Sequence, residues 1–333
     1  MKLNIFGISL ILLILNSCDE GLDLIQEGLP KPVIYSIINP RDTISYVRLT
    51  RCFVGDTSFE VLASDPGNLY FEKASVIIDI NTDKGHPVKT YNLAKVLLSD
   101  KEDGAFARSP NYAYQLSEPL ADYLQEGFQV RLVATVGDPG QLVTAQHIYH
   151  EAPAILKPRQ GRWTKISMYG DDPVTIEWND KYGFKKYSLE IRLAYQNHFT
   201  DHAELASVST FFYEISRNQS IDQIVKTITH YLYPSDFYRG IGVRIPDNSD
   251  VEWRSFVSFD IILHCLSKEF CDYLETSQIA ADRSGQPVSN VVGGLGLFSL
   301  AISSELTGLM LDNQSIDSLA DGQYTRLLGF KKW

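Results

Sequence analysis

The sequence predicts a mainly β protein: an N-terminal β-sandwich followed by a second β-rich domain, sandwich or barrel, that carries two to three helices. Three observations lead there. Most segments alternate apolar and polar residues with period two, glycine, proline and Asx turns separate them, and only a few stretches switch to helical spacing. Successive residues of a strand point to opposite faces, so alternation marks a strand with one buried and one wet face.

The elements follow in order. Val76, Ile78 and Ile80 share one phase, as do Phe128, Val130, Leu132 and Ala134. Asn81-Thr82-Asp83-Lys84-Gly85 and Gly137-Asp138-Pro139-Gly140 supply the turns after them. Further on, Val174, Ile176 and Trp178 alternate with Thr175, Glu177 and Asn179. The longest run sets Tyr187, Leu189, Ile191, Leu193 and Tyr195 inward and interleaves Ser188, Glu190, Arg192 and Ala194. Ser220 to Tyr231 breaks the period: Ile221, Ile224, Val225, Ile228 and Tyr231 fall on one helical face, and Ser220 with Gln223 forms a capping box. A second helix is expected from Ser267 to about Ala280 with Phe270, Tyr273 and Leu274 inward, and a short third turn after Ser315.

About eight short strands fit between residues 32 and 152, enough for a sandwich like the immunoglobulin or fibronectin modules. Two prolines, a glycine and basic residues mark 153–161 as a linker, and 162–333 as the second domain.

Ahead of these lies an export signal over residues 1–17. Lys2 gives a positive start and Ile8 to Leu15 an apolar run. That run is shorter than the roughly 20 apolar residues of a spanning helix and fits a signal core. Leu15-Asn16-Ser17-Cys18 follows, with leucine three before a cysteine and a small residue just before it. This is the pattern cut by the lipoprotein signal peptidase, and it makes Cys18 the acylated N-terminus of the mature chain. Asp19, Glu20, Asp23 and Glu27 make residues 18–31 an acidic stretch. It reads either as a solvated tether or as an export tag for the outer face.

Composition narrows the function. The chain is 44% hydrophobic and 21% charged, ordinary globular values. Its formal charge of −11 comes with no basic stripe, which argues against nucleic acid, where phosphate neutralisation dominates affinity. It also argues against adhesion to anionic lipid heads, so acyl chains must do the holding. Besides Cys18 there are Cys52, Cys265 and Cys271, an odd set. Cys265 lies on the apolar phase of its strand, and a 265–271 bridge is left open.

No motif commits the chain to chemistry. Gly293-Gly294-Leu295-Gly296 lacks the βαβ context of a dinucleotide loop and reads as close backbone packing or a bulge. Asp79, Asn81, Asp83 and Gly85 miss the calcium-loop spacing, since Gly85 is seventh and Thr90 twelfth. His147 with His150, and His198 with His202, show no third ligand for zinc and read as surface histidines. There is no G-x-S-x-G, P-loop or H-E-x-x-H. The expectation is a non-enzymatic protein without a cofactor. Phe211, Phe212, Tyr213, Tyr231, Tyr233, Phe237 and Tyr238 crowd the second domain. They read either as core or, for Phe212, Tyr213, Tyr231, Tyr233 and Tyr238, as a partner or ligand surface.

Several of these residues also carry a resemblance. Asp42-Thr43-Ile44 with Val47-Arg48-Leu49-Thr50-Arg51, Ala74-Ser75-Val76, and above all Pro287 to Phe298 resemble domain-of-unknown-function family 4249, lipoproteins typical of the Bacteroidota. Leu124, Gly127 and Leu132 match as well, although Val130 stands where the family pattern has an aromatic. The likeness covers nearly the whole mature chain. It implies an outer-membrane lipoprotein and the company of a TonB-dependent receptor, and it implies no activity. A free-standing lipoprotein that captures a surface glycan or peptide is the alternative expectation.

Overall fold

The computed structural model of the protein describes residues 30–52, 57–99, 104, 106–159, 161, 165–213, 227–283 and 288–332. The expected export signal, Cys18 and the acidic residues before residue 30 lie outside them, as do Ser220 and Gln223.

The first part of the chain runs β1 (Pro32–Ile38), β2 (Ser45–Arg51), α1 (Phe59–Ser64), β3 (Ala74–Asn81), β4 (Pro87–Asn92) and β5 (Ala94–Leu97). It continues with β6 (Tyr112–Leu116), β7 (Gln129–Val136) and β8 (Gln141–Ile148). The second part holds β9 (Ile155–Lys157), β10 (Lys165–Ile166), β11 (Val174–Asn179), β12 (Phe184–His198), β13 (Ala203–Tyr213) and β14 (Thr227–Leu232). Then come α2 (Pro234–Arg244), β15 (Trp253–Ser267), α3 (Lys268–Arg283), β16 (Val291–Val292), β17 (Leu295–Leu300), β18 (Ile302–Leu311) and α4 (Asn313–Asp321).

Four open sheets result, and none closes into a barrel among the described residues. One sandwich pairs β17-β1-β2-β6-β5 with β16-β8-β7-β3-β4. Alternation does the sorting: Ile34, Ile38, Val47 and Leu49 face Val76, Ile78, Ile80, Val130 and Leu132, all buried, while Tyr35 and Ile37 point outward. Each such side chain contributes about 1.5–3 kcal/mol by leaving water. In the turn after β3, the Gly85 amide donates to the Thr82 carbonyl and the Thr82 amide to that of His86, so the calcium-like residues form a hairpin.

The second sandwich sets β10-β18-β15-β12-β13 against the three-stranded β14-β11-β9. Tyr187, Leu189, Ile191, Leu193 and Tyr195 point inward as their alternation requires, beside Phe259, Ile261, Leu263 and Trp178. Apolar side chains of both sandwiches belong to one continuous core.

The chain also doubles back. Residues 291–300 fall within the second domain of the sequence reading, yet their strands pair with the first sandwich. β16 lies antiparallel to β8, and β17 lies parallel to β1 from Val33↔Leu295 to Ile38↔Leu300. The interval 153–161 contains β9, which pairs with β11.

The helical reading of 220–231 is corrected where it is described: Thr227–Leu232 is strand β14, antiparallel to β11 from Val174↔Leu232 to Asn179↔Thr227. Thr227, Ile228 and Thr229 are β-branched and fit a pleated surface, and that pairing outweighs the helical spacing. The helix of this region comes instead at α2, with Pro234 in its first turn and Phe237, Tyr238 and Ile241 buried. The later helices lie close to where they were expected, with two corrections: Leu274, read as inward, is 42% exposed, and the last helix opens at Asn313, ahead of Ser315. Ser267 opens α3 by accepting from the Phe270 amide, and Asp312 caps α4 by accepting from that of Ser315.

Candidate functional site

The aromatic surface read from the sequence divides in two. Tyr231 on β14 is 55% exposed and Tyr233, at the turn into α2, 46%. The Tyr233 carbonyl accepts from the amides of Asp236 and Phe237, which fixes the turn that presents both rings. Tyr238 does not join them. It is buried, because the amphipathic α2 turns that face into the core, and its hydroxyl sits 2.8 Å from the carbonyls of both Met168 and Ser315. Phe212 and Tyr213 lie on β13 opposite Leu189 and Ser188, and their side chains are outside what is described.

A polar cluster that alternation misassigns lies on the other side of the long sheet. Glu190 belongs to the phase opposite the apolar run and was expected in water, but it is only 4% exposed. Its carboxylate accepts from Ser209 Oγ at 2.6 Å, His264 Nε2 at 2.7 Å and Arg192 at 3.1 Å. Burial pushes this carboxyl up, and the hydrogen bonds from Ser209 and His264 with the Arg192 charge outweigh it and hold it below the usual glutamate range. Ser209 and His264 both converge on the carboxylate, so the acid is spent as an acceptor. Three donors on adjacent strands, in register at Arg192↔Ser209 and Glu190↔Ile262, make it a fastener of β12, β13 and β15.

The histidines serve other ends. His147, read as a surface residue, is buried on β8, and burial pushes it down to about 4 against the pull of Glu269, 4.0 Å away. His150 Nδ1 meets Glu126 at 2.6 Å. Its ring also packs where a side chain on Gly183 would collide, at 2.0 Å. His198 stacks on Trp253 with centroids 3.5 Å apart, and His202 pairs with Asp201 at 2.6 Å. Among the described residues, no group of three His, Cys, Asp or Glu side chains is arranged to hold a metal. Cys52, Cys265 and Cys271 are free thiols, and burial pushes Cys271 up to about 11.

Gly293 and Gly296 both have positive φ, +80° and +114°. A Cβ on Gly296 would lie 1.9 Å from the Ile34 carbonyl oxygen. Close packing of β17 against β1 therefore accounts for this glycine, in a strand with no phosphate loop.

No family model matches the chain, and no curated protein matches it. Among solved structures, the C-terminal globular domain of an oligosaccharyltransferase from Pyrococcus abyssi aligns at 8% identity with a TM-score of 0.19. The alignment covers 85% of this chain and 49% of that one, so the chain spans about half of its length. A likeness that weak carries no argument about fold or function.

Proposed function

We propose that the protein is a non-enzymatic, lipid-anchored outer-membrane lipoprotein that acts as an accessory or binding partner of a TonB-dependent receptor. The observation that carries the anchor is Leu15-Asn16-Ser17-Cys18 set directly after a short apolar run. Each buried acyl methylene contributes about 0.8 kcal/mol, so two or three chains hold the protein without a spanning segment. No helix among the described residues is long and apolar enough to cross a membrane. The receptor partnership rests on the resemblance at residues 287–298. Exposed Tyr231 and Tyr233 supply aromatic contacts of the kind that anchor interfaces. The non-enzymatic part is supported by the filled acceptors of Glu190, the one buried carboxylate beside a serine and a histidine among the described residues.

The same two tyrosines favour a second reading, direct capture of a surface glycan or peptide. Replacing both with alanine separates the two. A receptor accessory loses its protein partner, and a capture protein loses its glycan or peptide while any receptor association persists. The anchor has its own test: Cys18→Ser should abolish incorporation of labelled fatty acid. Undiminished labelling would refute the anchor at Cys18.

A further inference from the structure

Sheet edges in this chain are short or blunted, with one exception. β16 and β10 have two residues each, β9 three and β5 four. β4 opens with Pro87, carries Lys89 and shifts register against β3 between Ile80 and Asn81. β17 packs against α3, and β14 ends after six residues. Short length, lysine, proline, bulges and cover are the means by which edges avoid pairing with other chains. β13 differs. It is an edge of eleven residues, Ala203–Tyr213, with no lysine, arginine or proline, and it pairs with β12 in unbroken register. Among the described residues, no strand pairs with its other side.

α2 crowds this strand toward Tyr213, where a Cβ on Gly240 would lie 2.8 Å from the Thr210 side chain. The half before it, Ala203 to Ser209, is open. Ala203, Glu204, Leu205 and Ser207 are exposed, Leu205 at 72%, while Ala206 and Val208 turn toward the core. Seven residues of strand extend about 23 Å. Every second residue of an edge turns its N–H and C=O away from the sheet, so this half offers a row of backbone groups to another strand.

The strand suits a second copy of itself. A formal charge of −11 opposes self-association wherever the contact is rich in acid. In the open half Glu204 is the one charged residue. Antiparallel pairing about a two-fold axis at Ala206 sets Glu204 opposite Val208 of the second copy and Leu205 opposite its Ser207. The two glutamates then stand four residues apart along the strands, about 14 Å. That exceeds the Debye length of roughly 8 Å at physiological salt. Ala206 meets its own copy, and its small side chain allows normal strand spacing. Leu205, wet in the single chain, is covered.

We infer that the chain forms a two-fold dimer through the Ala203–Ser209 half of β13, which joins the five-stranded sheets of two copies edge to edge. Such a contact uses the same surface on both copies and closes at two. The inference depends on neither the acyl anchor nor the receptor partnership.

Sedimentation equilibrium of the purified full chain, in a density-matched mild detergent, tests this. A monomer–dimer equilibrium with no larger species is expected. The double variant Leu205→Lys, Ser207→Lys sets lysine directly opposite lysine on both sides of the axis and should weaken dimerisation at least tenfold. Both side chains are exposed, so thermal unfolding should be unchanged. Mixing that variant with a second one, Leu205→Glu, Ser207→Glu, should restore a dimer of the two, because each lysine then faces a glutamate. A chain that stays monomeric, open-ended oligomers, a dimer indifferent to the lysine pair, or no mixed dimer would overturn the inference.

Discussion

The two sandwiches are fastened in different ways. In the first, the facing layers are apolar almost throughout, and a strand from near the far end of the chain locks the fold, β17 running parallel to β1 over six register positions. In the second, buried polar groups hold the elements together. Glu190 gathers Ser209, Arg192 and His264, and Tyr238 joins α2 to Met168 and to Ser315 of α4. Backbone pairing at long range fixes the first sandwich, whereas side-chain hydrogen bonds with particular partners fix the second. The difference predicts different sensitivities: the first region to close steric approach, the second to the loss of single polar atoms, while acid acts on both, through buried His147 in the first and Glu190 in the second.

The largest effect is expected where the first sandwich is locked. Gly296→Val adds a Cβ 1.9 Å from the Ile34 oxygen at a backbone φ of +114°. Steric overlap with backbone has no cheap relief, so a loss of roughly 4 kcal/mol or more is expected in denaturant unfolding. A loss under about 1 kcal/mol would mean that β17 does not pack on β1 this closely.

Glu190→Gln comes next, at about 2 kcal/mol near neutral pH, since hydrogen bonds to charged groups are worth about 1.5–3 kcal/mol. The folded carboxyl titrates below its unfolded value of about 4.3. Its stabilisation is therefore present above that value and lost as pH falls through the lower folded value. The gap between the parent chain and the variant should shrink on acidification below about pH 4. A gap that stays constant from pH 7 to pH 3 would show that the charge of Glu190 contributes nothing.

Tyr238→Phe should cost about 1 kcal/mol, the worth of an ordinary buried hydrogen bond. Tyr231→Ala and Tyr233→Ala should each change stability by less than about 0.5 kcal/mol, as exposed positions do. A Tyr231 effect as large as that of Tyr238 would erase the division between the exposed and buried tyrosines.

Much of this architecture is legible in the sequence because alternation reports directly on burial. Tyr187 to Tyr195 needs only the period of two, and α3 announces itself through Ser267 at its start, whereas α4 begins at Asn313 behind the Asp312 cap, ahead of the turn expected after Ser315. What alternation cannot report is a second buried face. Glu190 looks solvated in sequence because its phase is polar, and only strands far away in the chain bring it Ser209 and His264. Parallel pairing of β17 with β1 is invisible for the same reason, although Gly296 hints at a close approach. α2 carried a usable signal in Pro234 and in the spacing of Phe237, Tyr238 and Ile241. The surrounding aromatics read as one surface and hid it. In 227–232 the helical spacing of Ile228 and Tyr231 competed with β-branched residues, and pairing with β11 decided the outcome.

The functional proposal is that the chain is lipid-anchored and works in complex with a receptor of the same membrane. A shared membrane raises effective concentration, so even a modest intrinsic affinity suffices for a stable pair. The most direct measurement is to tag the chain after Trp333, purify it from outer membranes in mild detergent and identify what accompanies it. The account predicts a large β-barrel receptor in comparable amount, lost when Tyr231 and Tyr233 are both replaced by alanine. Recovery of the tagged chain alone, under conditions that keep other receptor–lipoprotein pairs intact, would contradict it.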